Sequence, residues 1–205
     1  MRIAILGAGG HGKVVADAAM IIHGASVVGF LDDDPSLTGQ TLLGLPVLGV
    51  IPLWHEFDID LVVPAVGDNR ARRDVVLRES ARKATIATIV HSAAVVSRRA
   101  HLGAGTTVLA GAVINADALV GENVIVNTGA IVEHDCAIGP HVHIAPGCCV
   151  AGAVRVGEGS LLGIGCRILP GVNVGRWCVV GAGAVVIRDV EDGITVAGVP
   201  ARTQI

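Results

Sequence analysis

One histidine in this sequence is flanked on both sides by carboxylates. His134 lies between Glu133 and Asp135, and a neighbouring carboxylate can orient an imidazole and raise its basicity, as a general base requires. Eighteen residues further on, Gly152 stands between two alanines, so its backbone N–H has no side chain in the way. A base beside a bare backbone donor is the minimum equipment for acyl transfer, because the donor can stabilise an oxyanion.

A second candidate site is a glycine-rich loop near the N-terminus, Gly7-Ala8-Gly9-Gly10-His11-Gly12. It fits the pattern G-x-G-x-x-G, and the acidic residues 32–34 follow about 20 positions on, as in a dinucleotide fold. Such a loop binds phosphate at the N-terminus of the following helix. The glycines could instead serve only the close packing of helix on strand, and the acidic run could be a solvated turn before Pro35.

The same loop also matches G-x-x-x-x-G-K, but Val14 stands where a P-loop needs Ser or Thr for magnesium. We therefore favour the first pattern. About 85 residues supply little more than one mononucleotide-binding half, so we expect one nucleotide to bind here rather than a dinucleotide.

The elements that position His134 follow from a repeat. Val, Ile or Leu occurs at every sixth position from Val90 to Val186, and a small residue stands two positions before nearly every one of these anchors. Residues two apart on a strand point to the same side, so each unit sends one branched and one small side chain inward. A triangular coil of three short strands, with ~18 residues per turn, satisfies this pattern. His134 and Gly152 then stack one coil apart.

Four of the five cysteines fall in the small column, where we expect reduced thiols acting as compact apolar filler; they are Cys136, Cys148, Cys166 and Cys178, with only Cys149 outside it. Glycine recurs directly after many anchors, for example at Gly121 and Gly139. A corner there needs either a left-handed backbone or a close backbone approach.

Residues 1–85 lack the six-residue register. The pattern predicts strands over 2–6, 26–31 and 61–66 and helices over 13–23 and 68–83. This order is typical of a small parallel sheet, as in half a Rossmann fold. The sequence thus predicts an α/β domain over 1–85 and a parallel β-helix domain over 86–205.

Composition and net charge limit the classes of partner that we expect this protein to bind. The chain is 52% hydrophobic, 16% charged and only 2% aromatic, which excludes disorder and predicts cores of small aliphatic residues. A net charge of −3 without a block of like charges argues against nucleic acid or an anionic membrane as partner. No apolar run approaches the roughly 18 residues of a membrane span. We expect a cytoplasmic protein.

Several segments together resemble the sugar O- and N-acyltransferases of bacterial glycan assembly, a family of hexapeptide-repeat transferases; they are residues 9–13, 30–33, 65–69, 127–128, 133–135 and 197–201. The resemblance implies a left-handed β-helix, a homotrimer with active sites between protomers, and acetyl-CoA as co-substrate without a metal. The implied acceptor is the amine of a nucleotide-linked amino-sugar, of the UDP-4-amino-sugar or GDP-perosamine type. Because sialic acid O-acetyltransferases belong to the same family, O-acetylation is the alternative.

The resemblance also implies roles for single residues. His134 would be the general base and Asp135 its orienting carboxylate, although the family commonly has Glu at that position, one methylene longer. The Gly152 N–H would be the oxyanion donor, and His143 would lie near the acetyl carbonyl. Asn127 would line the acceptor site, although a corner asparagine could equally be a turn former.

Two sets of binding residues are implied as well. The sugar nucleotide would lie at the glycine loop and the acidic strand end, near Gly9, Gly10, His11, Gly12, Asp32, Asp33 and Asn69. Coenzyme A would contact His143 and Gly152. Independently of the resemblance, we infer that it passes along the stacked column Gly147, Gly165 and Gly183, whose missing side chains leave room. Those three could equally be ordinary corner glycines.

Two other classes compete. Histidines in such a trimer are also found in γ-class carbonic anhydrases, but their paired zinc ligands are five residues apart, whereas His134 is seven residues from His141 and nine from His143. A non-catalytic protein that binds nucleotide sugars is the other alternative, and failure to bind coenzyme A would favour it.

Overall fold

The structure is a computed structural model that describes residues 1–204, and the chain forms two compact units. The first unit ends at Ser92 and the second begins at Ala93, against a predicted boundary at residue 85. Neither helix within residues 1–204 is long and apolar enough to cross a membrane.

The first unit is built on a five-stranded sheet. Its elements are β1 (Arg2–Leu6), α1 (Gly10–Met20), β2 (Ser26–Leu31), β3 (Thr41–Leu42), β4 (Leu45–Gly49), β5 (Leu61–Pro64) and α2 (Asn69–Ala81), with 3₁₀ helices at Pro35–Leu37 and Ile51–Glu56 and a short strand at Ile89–Val90. The strand order is β3-β4-β2-β1-β5, and all neighbours pair in parallel except the β3–β4 hairpin. The predicted parallel sheet is confirmed, whereas the hairpin was not predicted.

Helix α1 begins three residues earlier than predicted. Gly9 precedes it in extended conformation, with φ −83° and ψ −168°, and acts as the N-cap. Gly10 and Gly12, which the pattern placed in a loop, therefore lie in the first turn of the helix. This puts the backbone N–H groups of that turn at the end of β1, which is where a doubly wound sheet binds its ligands.

The second unit is a coil of two-residue strands that form three parallel sheets, here called the first, second and third faces. The first face contains Thr107–Val108, Ile125–Val126, His143–Ile144, Leu161–Leu162, Val179–Val180 and Thr195–Ala197, and the antiparallel Arg202–Thr203 follows. The second face contains Val95–Val96, Val113–Ile114, Ile131–Val132, Cys149–Val150, Arg167–Ile168 and Val185–Val186. The third face contains His101–Leu102, Leu119–Val120, Ala137–Ile138, Arg155–Val156 and Asn173–Val174.

The predicted inward columns form the core of this coil. Anchors such as Val126 and Val132 and small residues such as Ala130 and Cys148 are fully buried, and all five cysteines are free. The repeat in sequence starts earlier than the buried core, however, because Val90 is 36% exposed. The strand Val95–Val96 pairs on one side only, so the first coil has no coil below it to complete its core.

The corners use two kinds of position. From Gly105 to Gly183 the third residue after each anchor is left-handed, as at Gly129 (φ 65°) and Asp135 (φ 61°). Glycines directly after an anchor are not left-handed, but a Cβ on Gly139 would lie 2.8 Å from the backbone nitrogen of Glu158 in the next coil. Of the two roles left open for these glycines, the structure shows the close backbone approach.

Candidate active site

His134 lies on the corner that joins the second face to the third. Its carbonyl accepts a hydrogen bond from Ala153 N at 2.9 Å, and the amide of the next residue, Asp135, donates to Ala116 O at 3.2 Å. Both partners belong to the adjacent coils, so the backbone on either side of the imidazole is held by the solenoid itself.

The imidazole and the carboxylate of Asp135 form a close pair. His134 Nδ1 lies 2.7 Å from Asp135 Oδ2, which leaves Nε2 as the nitrogen that can take a proton. The hydrogen bond to Asp135 is the main cause that raises the pKa of His134 above its ordinary 6.5. The shorter side chain at position 135 therefore reaches the imidazole. Asp is also one of the few non-glycine residues that readily adopt the left-handed backbone found there.

A residue that the sequence did not single out holds the other flanking carboxylate. Asn115 Nδ2 donates to Glu133 Oε2 at 2.9 Å from one coil earlier. The charge of Glu133 also contributes to the raised pKa of His134. The only signal in the sequence is the spacing of eighteen residues, which equals one turn of the coil.

Gly152 lies directly against the imidazole. A Cβ placed on it would come within 2.7 Å of both Nε2 and Cε1 of His134, so the ring occupies the space of the missing side chain. The Gly152 carbonyl accepts from Gly171 N at 3.0 Å, while the hydrogen bonds of residues 1–204 include none from the Gly152 N–H. A backbone donor and the proton-accepting nitrogen of a histidine thus lie side by side, as acyl transfer requires.

His143 and Asn127 form a separate pair. Asn127 Oδ1 accepts from Thr128 N at 2.8 Å, so its amide nitrogen, 3.0 Å from His143 Nε2, is the donor to that histidine. His143 Nε2 must then be unprotonated, with the ring proton on Nδ1. The Asn127 side chain therefore stabilises the corner through its oxygen. Its amide nitrogen also fixes the tautomer of His143.

These two pairs lie at different places on one chain. His134 follows a strand of the second face, whereas His143 is on the first face and Asn127 is on the corner that follows the first face. The predicted catalytic residues are therefore not brought together around one corner of a single coil.

The glycines predicted to make room for coenzyme A share a conformation. Gly147, Gly165 and Gly183 have φ of 65° to 66°, and an added Cβ on any of them would meet no atom within 4 Å. Their left-handed backbone favours glycine, and the space outside them is open. Both interpretations of the column remain, and its contact with coenzyme A stays a prediction.

The glycine loop divides its glycines between two tasks. A Cβ on Gly12 would collide with the carbonyl oxygen of Gly7, so this glycine allows α1 to pack closely on β1. Gly9 and Gly10 have no atom within 4 Å of an added Cβ, and the first turn of α1 carries no acidic residue. Only Gly9 and Gly10 thus present open backbone to an anion at the helix N-terminus.

The acidic strand end is tied to this loop. Asp32 Oδ2 accepts from Ala8 N at 2.7 Å and Oδ1 accepts from Asp34 N at 2.9 Å, so Asp32 shapes the loop. Asp33 forms an exposed ion pair with Arg78 at 2.9 Å. Asp33 is therefore the more available of the two for a ligand hydroxyl.

Two groups in this region have lowered pKa values: the half-buried His11, within the loop, and the buried Arg72. Burial, and secondarily the charge of Arg72, lowers the pKa of His11 to about 4, so His11 is neutral near pH 7 and offers no positive charge to a phosphate. Arg72 is 1% exposed and donates to the carbonyls of Val66 and Gly67 at 3.1 and 3.3 Å. Burial lowers its pKa to about 10.

Asn69, 8% exposed, begins α2 next to its N-cap Asp68. Arg72 was not singled out from the sequence.

Comparison with known proteins gives two matching families. Residues 2–78 match the PglD N-terminal domain, and residues 117–152 and 153–188 match the bacterial transferase hexapeptide family (six repeats). A UDP-N-acetylbacillosamine N-acetyltransferase of Bacillus subtilis (strain 168) is 39% identical over 111 residues, 53% of this chain. That match spans 51% of the length of this curated relative.

Two solved proteins match over nearly the whole chain. The acetyltransferase domain of PglB from Neisseria gonorrhoeae FA1090 is 39% identical, with 99% of each chain covered and a TM-score of 0.93, and it has also been solved in complex with acetyl coenzyme A. PerB from Caulobacter crescentus, solved in complex with CoA and GDP-perosamine, is 39% identical over all of this chain and 98% of its own, with a TM-score of 0.94.

Proposed function

Because the chain belongs to the bacterial hexapeptide-repeat acetyltransferases that carry a PglD-type N-terminal domain, we propose that it transfers an acetyl group from acetyl-CoA to the amine of a nucleotide-linked amino-sugar. The observation that carries the proposal is the pair of His134 and Asp135 beside the unused N–H of Gly152. PerB, solved with CoA and GDP-perosamine, supports both substrate classes.

The geometry assigns each step to a group. His134 Nε2 takes a proton from the sugar amine as the amine attacks the thioester carbonyl, while the hydrogen bond from Nδ1 to Asp135 keeps the ring in the required tautomer. The Gly152 N–H donates to the developing oxyanion, an interaction that strengthens as charge builds up. Collapse then breaks the carbon–sulfur bond, and the imidazolium can return its proton to the departing thiolate. No covalent enzyme intermediate forms.

We infer that a second copy of the chain completes this site. The base and the His143–Asn127 pair lie at different places on the coil, and a neighbouring copy would supply one of them to the site that holds the other. We therefore propose a homotrimer with the site between protomers. Its hand of coil, and a cytoplasmic location, stay predictions.

Subunit complementation tests the shared site. His134→Ala and His143→Ala trimers should each be weakly active, and unfolding and refolding them as a mixture should restore activity. In a mixed trimer, some interfaces combine the intact His134 of one copy with the intact His143 of the next. A mixture no more active than its parents, despite verified subunit exchange, would place both histidines in the site of one chain.

We expect the nucleotide part of the sugar nucleotide to bind to the first unit. Gly9 and Gly10 present the open helix N-terminus to its phosphates, and Asp33, which follows the loop-bound Asp32, is the candidate acceptor for a hydroxyl. Since His11 is neutral, it adds no charge to the attraction that the helix N-terminus exerts on the phosphates.

A panel of acceptors tests the reaction class. UDP-4-amino-sugars, GDP-perosamine and sialic acid are each incubated with acetyl-CoA, and thiol release is measured together with the mass of the sugar product. An alkali-stable amide on an amino-sugar nucleotide is the expected product. An alkali-labile ester, or binding of acetyl-CoA with no acetylated sugar in any arm, would contradict amine acetylation.

A further inference from the structure

A buried carboxylate near the end of α2 is bound by three side chains of the first unit. Glu79 is fully buried, and its two oxygens accept hydrogen bonds from Arg78 Nε at 2.6 Å, Trp54 Nε1 at 3.1 Å and Arg82 Nη1 at 3.4 Å. A buried charge is costly unless it is paired and hydrogen-bonded. Because all three partners are donors, position 79 requires a group that only accepts, which a carboxylate is and an amide is not.

Hydrogen bonds connect this carboxylate to the strand end that we expect to bind the nucleotide. Trp54 lies in the 3₁₀ helix that follows β4, and β4 pairs with β2. Asp33 is the second residue after β2, and Arg78 Nη2 donates to both of its oxygens, at 3.2 and 2.9 Å. The bonds therefore run from Trp54 through Glu79 and Arg78 to Asp33.

Arg78 bridges two carboxylates that differ in exposure. Its Nε binds the fully buried Glu79, whereas its Nη2 binds Asp33, whose side chain is 47% exposed. A guanidinium can do this because its donors sit on a rigid, planar fork. An exposed ion pair alone contributes little, in part because two long side chains must be ordered. With Arg78 already fixed at Glu79, part of that cost is removed, so the orientation of Asp33 is set from the interior of the first unit.

We propose that Glu79 and Arg78 are positioning residues for the nucleotide of the acceptor: the buried carboxylate fixes the guanidinium, and the guanidinium holds the Asp33 carboxylate ready to accept a hydrogen bond from a nucleotide hydroxyl. The two bonds from Arg78 leave lone pairs on both Asp33 oxygens for a ligand. An acceptor that is ordered in advance loses less conformational freedom on binding. This inference rests on the proposed function, because only there is Asp33 a ligand of the sugar nucleotide.

Calorimetric titration of the full-length protein with UDP and with GDP, together with steady-state acetyl transfer, tests the proposal. Arg78→Met should weaken binding of the preferred nucleotide, and raise KM for the sugar nucleotide, roughly 2- to 10-fold, as the cost of ordering one side chain on binding predicts. Its kcat should stay at the wild-type value. Arg78→Lys should recover little of the loss, because one ammonium group cannot reproduce the fork between two carboxylates.

Two further variants frame this result. Arg73→Met is the matched control, because Arg73 lies on the same helix and pairs with the adjacent Asp74; it should bind nucleotide as the wild type does. Glu79→Gln should weaken binding in the same direction as Arg78→Met, because its amide must turn an NH₂ group toward one of three donors. Arg78 is only half-buried, so its substitution decides the question if a thermal melt shows that Glu79→Gln is unfolded.

An Asp33→Ala background separates positioning from a general structural role. If Arg78 acts through Asp33, Arg78→Met should cost nothing further once the carboxylate is absent. An equal loss in both backgrounds, wild-type nucleotide affinity in folded Arg78→Met or Asp33→Ala, or a wild-type protein that binds neither nucleotide would each overturn the proposal. The proposed function is judged separately: no acetylated sugar in any arm of the acceptor panel would refute it, while the UDP and GDP titrations would still decide the role of Arg78.

Discussion

Gly152→Ala gives a sharp test of how the base is positioned. The added Cβ would lie 2.7 Å from Nε2 and Cε1 of His134, while ordinary contact begins at 3.4 Å, so the ring has to retreat by about 0.7 Å. Gly152 is not in the left-handed region, so alanine is compatible with its backbone. A reacting group displaced by ~1 Å can lose 10²-fold in rate. We therefore expect kcat to fall about 10- to 100-fold.

The assay is steady-state acetyl transfer with both substrates saturating, together with titrations of CoA and sugar nucleotide and a thermal melt. The affinity for the sugar nucleotide and the melting temperature should stay close to wild type, because the change is confined to one half-buried corner of the coil. A combined loss of kcat and trimer would mean that the substitution acted through folding instead.

The control is the same substitution in a His134→Ala background. Without the ring there is nothing for the new Cβ to displace, so Gly152→Ala should cost far less there, and the two changes should be strongly non-additive. An equal loss in both backgrounds would show that the methyl obstructs the oxyanion donor or the thioester. Wild-type kcat in the single variant would refute the contact itself.

Other predictions concern the carboxylate, the pH profile, the core and the loop. Asp135→Asn should lower kcat less than loss of the imidazole does, since asparagine also tolerates the left-handed backbone there. In the wild type, kcat/KM should rise with pH through a pKa above 6.5, because only neutral His134 is a base. Asp135→Asn should move this rising part of the pH profile to lower pH. If it does not move, the rise reports deprotonation of the sugar amine instead. Cys136→Ser should change the free energy of unfolding by no more than ~1 kcal/mol in a urea titration, because a hydroxyl can keep the bond that Sγ donates to Ala151 O at 3.1 Å; a loss well above that would show that the bond is not kept. Gly9→Val should raise KM for the sugar nucleotide without changing CoA affinity, and an unchanged sugar KM in the folded variant would make the loop purely structural.

The coil could be predicted from the sequence because the pattern that specifies it is contained in each six-residue unit. A six-residue period with an inward branched and an inward small residue leaves few architectures, and the buried columns confirm it at Val126, Val132 and Cys148. The family and fold inferred from the motifs around His134 are confirmed by the matches to PglB and PerB. The strand and helix pattern of the first unit was also recovered, apart from the β3–β4 hairpin.

The sequence did not show which glycine of the loop motif has which structural role. Gly9 and Gly12 look alike in the motif, yet Gly9 faces open space and Gly12 abuts the Gly7 carbonyl. Gly12→Val would therefore disturb folding and is a poor probe of phosphate binding. Arg72 lies too far from the loop in sequence for a local pattern to connect them, and only the fold places its charge close enough to lower the pKa of His11.

The most direct test of the central claim is the kcat of His134→Ala, measured with saturating acetyl-CoA and sugar nucleotide on protein confirmed to be folded and trimeric. Positioned proton transfer is worth ~10²–10⁴ in rate, so kcat should fall by that factor while titrations show both substrates still bound. A kcat near that of the wild type would contradict the account, because His134 would then not be the base that accepts the amine proton.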